Sequence, residues 1–127
     1  MTDRLQIERL LNELYAGRLR ADLATVFGAF TDDATFQITS ASHVSPVVVK
    51  TTGAGEFRPL LALLLKTFRL NHLTIRAMII DGAKAAVHWE AEVHSRITGA
   101  RVPTQLIDLI EIRDGRIASY SEFSISV

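Results

Sequence analysis

Cysteine is absent from the chain, which removes disulfides, thiol nucleophiles and zinc–thiolate sites together and fits a reducing compartment. An excess of either charge is missing too. Fourteen Lys and Arg balance fourteen Asp and Glu, and the basic residues are scattered, so there is no electrostatic footprint for nucleic acid or an anionic membrane. No apolar run approaches the roughly eighteen residues needed to cross a bilayer. The opening MTDRLQIERLL passes directly into a charged amphipathic pattern without a secretory core, which makes the cytoplasm the expected compartment. Repeats, linkers and low-complexity tracts are also lacking. What remains is globular usage, 48% hydrophobic and 22% charged over 127 residues, enough to build one domain, 1–127, around a core that needs no metal or cross-link.

The first half reads as helical. Ile7, Leu10, Leu11 and Leu14 recur at helical spacing, Asp3 with Gln6 three residues on can cap the start, and Gly17 suits the end. Leu23, Val26, Phe27 and Phe30 suggest a short second helix, broken by TDDAT. Two short strands, ATFQIT and VVVK, flank the Ser-rich SASHVSP. A long helix follows, with Phe57, Leu60, Leu61, Leu64, Leu65 and Phe68 on one stripe and Pro59 in its first turn. From Leu73 the period drops to two, giving strands over 73–80, 84–97, 102–113 and 116–125 with turns at DGA, TGA and RDG. Links this short make the four strands antiparallel, and helices followed by strands is the α+β pattern, with three helices on one face of a strongly bent sheet.

Alternation sorts each strand into two faces. Val87, Trp89, Ala91 and Val93 form an apolar inner face opposite His88, Glu90, Glu92 and His94. In LIDLIEIRDGRI, residues 106–117, Leu106, Asp108, Ile110 and Ile112 share the inner face, and Ile107 and Leu109 leave the outer one greasy as well. An outer face of that kind calls for a cover, and a second copy of the chain, a homodimer through the sheet, supplies one. Asp108 is the anomaly. An ionised carboxylate buried without partners costs several kcal/mol, so a chain keeps one there for a bond or for chemistry. The last hairpin decides what meets it. A two-residue loop, Asp114-Gly115, pairs residue 108 with Ser121. A loop that includes Arg116, with a bulge, pairs it with Glu122, and this register is favoured because it turns Tyr120 and Glu122 inward and Ile117, Phe123 and Ile125 outward. Two inward carboxylates would then be neighbours, one of them holding a proton near neutral pH.

The element order, with ATVFGAFTDDATFQI entering the first strand and LIDLIEIRDGRI forming the closing hairpin, resembles the SnoaL-like branch of the nuclear-transport-factor-two-like (cystatin-like cone) superfamily, related to polyketide cyclases and ketosteroid isomerases. The resemblance covers nearly the whole chain. It implies a conical cup whose curved, mostly antiparallel sheet wraps three helices and a hydrophobic pocket. That fold houses isomerases, cyclases, dehydratases, epoxide hydrolases and purely binding or assembly domains, so it does not name a reaction. Asp108 matches the oxyanion-binding acid of the steroid isomerases and an acid/base residue of the cyclases; a carboxyl kept protonated by an apolar site is known in that role. Ile38 stands where the isomerases carry their general base, and Leu14 where they carry a helix-one tyrosine, with Tyr15 one residue beyond. His72 matches a histidine of the dehydratase relatives whose partner aspartate comes from the segment between the first helices, where this chain offers only Asp22.

The candidate catalytic set is therefore Asp108, His72 and Glu122, with Tyr15, Phe30, Phe36, Ile38, Phe57, Trp89, Ala91, Leu106 and Tyr120 as the candidate wall for a small hydrophobic molecule. No cofactor or metal is expected: His88 and His94 alternate with Glu90 and Glu92 along one strand without converging, and Gly53 and Gly55 lack the lysine of a phosphate loop. The expected activity is a cofactor-free isomerase, cyclase or dehydratase acting on an apolar cyclic or polyketide-like metabolite. The rival reading is a noncatalytic ligand-binding or assembly module in which side chains fill the cup.

Overall fold

The N-terminal helix is started by its own first residues. The Asp3 carboxylate accepts the Gln6 N–H at 2.9 Å and the Gln6 side chain accepts the Asp3 N–H at 3.3 Å, a reciprocal cap for α1 (Arg4–Arg20). A computed structural model describes residues 3–40 and 47–126 of the chain; most of the Ser-rich stretch expected between the first strands, 41–46, lies outside them. Gly17 does not end α1. The helix closes a turn later at Ala21, in the left-handed conformation with φ 56°. Gly17 instead lets the next helix approach, since a Cβ there would sit 3.0 Å from the Thr25 methyl and 3.3 Å from Val26. That helix, α2 (Leu23–Gly28), is capped by Asp22, whose carboxylate accepts the Thr25 N–H at 3.2 Å and its hydroxyl at 2.7 Å. Asp22 is thus engaged as a cap. Phe30, read as the last apolar position of this helix, opens a strand.

The remaining elements are β1 (Phe30–Ser40), β2 (Val47–Thr52), α3 (Ala54–Thr67), β3 (Phe68–Asp81), β4 (Lys84–Ser95), β5 (Arg101–Arg113) and β6 (Arg116–Ser126). Phe68 is therefore the first residue of a strand and not the end of the helical stripe. The six strands form one sheet in the order β2-β1-β6-β5-β4-β3. All neighbours run antiparallel except β1 and β6, which are parallel. This α+β arrangement wraps the curved sheet around the helices, and Ile7, Leu11 and Leu14 of α1, Val26 of α2, and Phe57 and Leu61 of α3 are all sealed against its inner face.

The alternation holds across the long strands. Val87, Trp89 and Ala91 are buried, as are Leu106, Asp108, Ile110 and Ile112, while Ile107 and Leu109 are about half exposed. Asp108 does face Glu122, though not by the loop expected. Arg113 pairs with Arg116 across a two-residue Asp114-Gly115 turn in which both residues have positive φ, 53° and 77°. The extra residue is Ala118, because Ile112 pairs with Ile117 and Glu111 with Ser119. This bulge turns the rest of β6 over. It also buries Ile117 completely, which corrects its expected place on the outer face; Phe123 and Ile125 do lie exposed there.

A Gly17→Val substitution should destabilise the fold by about 2 kcal/mol through overpacking at Thr25, measured as a lower urea midpoint. An unchanged midpoint would show that α1 and α2 do not pack closely at this glycine.

Candidate functional site

Three donors converge on one oxygen. Tyr15 on α1 donates its hydroxyl to Asp108 Oδ2 at 2.5 Å, the Trp89 indole N–H on β4 donates to the same atom at 2.7 Å, and the Tyr120 hydroxyl on β6 donates to it as well. Asp108 is fully buried, and its other oxygen, Oδ1, has no hydrogen-bond partner among the described residues. Phe36 stacks on Tyr120 at 5.4 Å between ring centres, and Tyr15 tilts against Trp89 at 5.5 Å. The carboxyl is sealed in aromatic rings. That desolvation, then the neighbouring Glu122 carboxylate, raises its pKa to about 7, against the opposing pull of Arg18, Tyr120 and Tyr15. Burial likewise holds both tyrosine hydroxyls well above their ordinary range, so they stay protonated as donors.

Beside this cluster sits an ion pair. Arg18 Nη1 donates to Glu122 Oε2 at 2.9 Å and to the Tyr120 hydroxyl at 3.0 Å, and Nη2 reaches Glu122 Oε1 at 3.5 Å. Both side chains are more than nine-tenths buried. The guanidinium also lies over the Trp89 ring, 4.9 Å from its centre. Burial alone would lower the Arg18 pKa, but Glu122, then Tyr120 and Asp108, outweigh it and keep the group charged. Tyr120 thereby links Arg18 to Asp108 through one hydroxyl.

A cavity of about 320 Å³ opens over the ion pair, at the small end of the range for small-molecule sites. Arg18 and Glu122 line it together with Ser40, Thr104, Ser124 and an apolar majority that includes Ile38, Leu64, Leu70, Trp89, Val93 and Leu106. Asp108 does not; it lies behind the wall.

The sequence profile of the SnoaL-like domain matches residues 10–120. The chain belongs to the SnoaL-like family. Among solved structures, this SnoaL-like protein is similar to a "Putative Isomerase" from Bacillus subtilis (TM-score 0.83, 21% identity, 98% of this chain and 89% of that one). It is also similar to an LEH-like epoxide hydrolase from M. tuberculosis (TM-score 0.74, 18% identity, 94% and 83%). A third neighbour is a protein of ketosteroid isomerase-like fold from Catenulispora acidiphila in complex with trimethylamine (TM-score 0.71, 14% identity, 89% and 82%). At these identities the likeness is one of fold. No curated protein matches the chain.

Several expected site residues come together in this SnoaL-like chain and others do not. Asp108, Glu122, Tyr15, Tyr120 and Trp89 form one connected cluster, while Ile38, Trp89, Leu106 and Glu122 line the cavity. Tyr15 and Tyr120 face Asp108 and not the cavity. Phe30, Phe36, Phe57 and Ala91 are core residues that do not line it, because the rings pack on one another, Phe30 lying 5.2 Å from Phe57. His72 lies apart. It is an exposed residue of β3 with φ 56°, in a shallow recess with Glu90, Glu92 and Gln105. A bulge between Asn71 and Thr74 accompanies that conformation. His88 contacts Gln105 at 2.5 Å, and Glu90 accepts from Gln105 and Arg76. Arg18 is the member that sequence reading missed. Its signal is the spacing to Tyr15, three residues back on the same helix face.

Because the folded Asp108 pKa is about 7 against an ordinary 3.8, the folded chain keeps a proton that the unfolded chain loses. Stability from this group is therefore full at low pH and falls as pH rises through 7. The melting temperature should drop by about 10 °C between pH 5 and pH 8, a window above the titration of the exposed, salt-bridged carboxylates. An Asp108→Asn variant should flatten the curve; a wild-type curve already flat would remove the raised pKa.

Proposed function

We propose that this SnoaL-like protein is a cofactor-free acid/base enzyme acting on a small apolar metabolite, cyclic or polyketide-like, in the isomerase, cyclase or dehydratase class. The observation that carries the reading is Glu122, a carboxylate lining a mostly apolar cavity with a second carboxyl, Asp108, directly across the strands. Glu122 is the group placed to take a proton from a bound molecule and return it. Asp108, titrating near neutrality behind it, takes part through the shared electrostatics of the pair and not by touching the ligand. The reading sets His72 aside because it does not line the cavity.

The rival reading, a noncatalytic binding module, is favoured by the sealing of Asp108: the aromatic cage fills the part of the cup beneath it. Proton exchange at the α-carbon of enolisable ketones in D2O, followed by NMR over a panel of terpenoid, polyketide and steroid substrates, separates the two. Wild type should exchange at least one of them, and Glu122→Gln, whose amide oxygen can still accept from Arg18, should slow exchange about a hundredfold or more, with circular dichroism checking that the variant is folded. Ligand binding without exchange by wild type would favour the binding module.

We further propose that a second copy covers the outer face, where Ile79, Ile107, Leu109, Phe123 and Ile125 are 39 to 65% exposed. The adjoining rows of the sheet bring Ile107 against Phe123 and Gln105 against Ile125, so the apolar side chains form one patch. Sedimentation should find a dimer, and Leu109→Lys should yield a folded monomer; a monomeric wild type at micromolar concentration would sink this arrangement.

A further inference from the structure

The cavity has a polar floor and an apolar mouth. Strand register orders its wall: Ile38 and Glu122 lie opposite one another level with Asp108, Ser40 and Ser124 lie one inward-facing position further out with Leu106 and Trp89, and Val102 and Val93 pair beyond them. Glu122, Leu106, Trp89 and Thr104 are buried, and Phe68 at the far end is 39% exposed. The hydroxyls along the way are already engaged. Ser40 and Ser124 bond each other at 3.0 Å, and Thr104 donates to the Val102 carbonyl at 3.0 Å. Arg18 is the one cationic side chain of the wall among the described residues, and its Nη2 makes only a long 3.5 Å contact to Glu122. Its Nε has no hydrogen-bond partner among the described residues. A buried guanidinium carries five N–H donors, and this one is under-used.

We infer that Arg18 is the ligand-binding donor of this site and that the ligand is a neutral carbonyl compound entering oxygen-first, its apolar body lying toward Phe68. This rests on the acid/base reading only for the step that follows binding. The charge balance selects the head group. Glu122 already neutralises Arg18, so a carbonyl dipole gains from the guanidinium, whereas a carboxylate would meet Glu122 at close range in a medium that screens poorly. With the oxygen on Arg18, the α-carbon beside the carbonyl is the one presented to Glu122. Glu122 takes the α-proton, the C–H electron pair becomes the carbon–carbon double bond of the enolate, and the carbonyl π pair moves onto the oxygen facing Arg18. Return of the proton to the α-carbon restores the ketone, an exchange or epimerisation with no external reagent.

Trp89, the sole tryptophan of the chain, lines the cavity under Arg18, so its fluorescence reports occupancy directly. The test compares 2-decalone, decalin and decalin-2-carboxylate at pH 8. Wild type should bind the ketone about tenfold or more tighter than the hydrocarbon, with the carboxylate weakest. The double variant Arg18→Met, Glu122→Gln, which removes both members of the ion pair together, should bind ketone and hydrocarbon alike. No ketone preference in wild type, a preference surviving in the double variant, or tightest binding of the carboxylate would each overturn the assignment. The wild-type comparison stands even if the variant fails to fold. Ketone preference without α-proton exchange would defeat the acid/base reading and keep this one; exchange without preference would do the reverse.

Discussion

One desolvated carboxyl organises the interior of this protein. Asp108 stands where strand alternation demands an apolar side chain, and its burial is tolerated because α1, β4 and β6 each send a donor to a single oxygen. Removing any one of them would leave the remaining bonds to offset the same desolvation. The rings that carry those donors are also the core. Tyr15, Trp89 and Tyr120 are among the largest buried side chains, so one set of atoms provides the packing and the polar satisfaction. The helix is thereby tied to the sheet at a defined rotation, and that rotation is what brings Arg18, one turn on, over Glu122.

The result is a division between two carboxyls alike in chemistry and opposite in access: one sealed, one on a cavity wall. Both lie on the same inward face, and their environments differ because Asp108 is roofed by α1 while Glu122 is met by the tip of an arginine from the same helix. The aromatic cage lowers the local dielectric for both. In such surroundings the protonation of Asp108 is felt by Glu122 and by the guanidinium of Arg18 beside it.

Much of this was readable in the chain. The period-two pattern placed Val87, Trp89, Leu106, Asp108 and Ile110 on the inner face, and the helical stripes placed Ile7, Leu11, Leu14, Phe57 and Leu61, because burial on one side of an element is a local property of spacing. The pairing of Asp108 with Glu122 was also reached, but through the wrong turn: sequence offers no sign that Ala118, an unremarkable small residue, is the one left out of the ladder. Ile117 was misplaced for the same reason. The cavity wall was less legible. Aromatic side chains were assigned to it by size, yet Phe30, Phe36 and Phe57 consume one another's surface in the core, and which residues border empty space depends on how α3 and β3 diverge. Arg18 is easily passed over as a site residue, despite its spacing from Tyr15, because a basic residue near a helix C-terminus is ordinarily explained by the helix dipole.

The ion pair at the cavity floor joins positions 104 residues apart, one in the opening helix and the other in the closing strand. During synthesis the arginine emerges long before its counterion, and β1 likewise waits for β6, its parallel neighbour. A nascent chain therefore holds an incomplete interior until β6 has emerged. Loss of β6 would remove the acidic wall and the strand that joins β1 to β5 together, so a chain lacking it should be a substrate for quality control and not a weakened version of the native state.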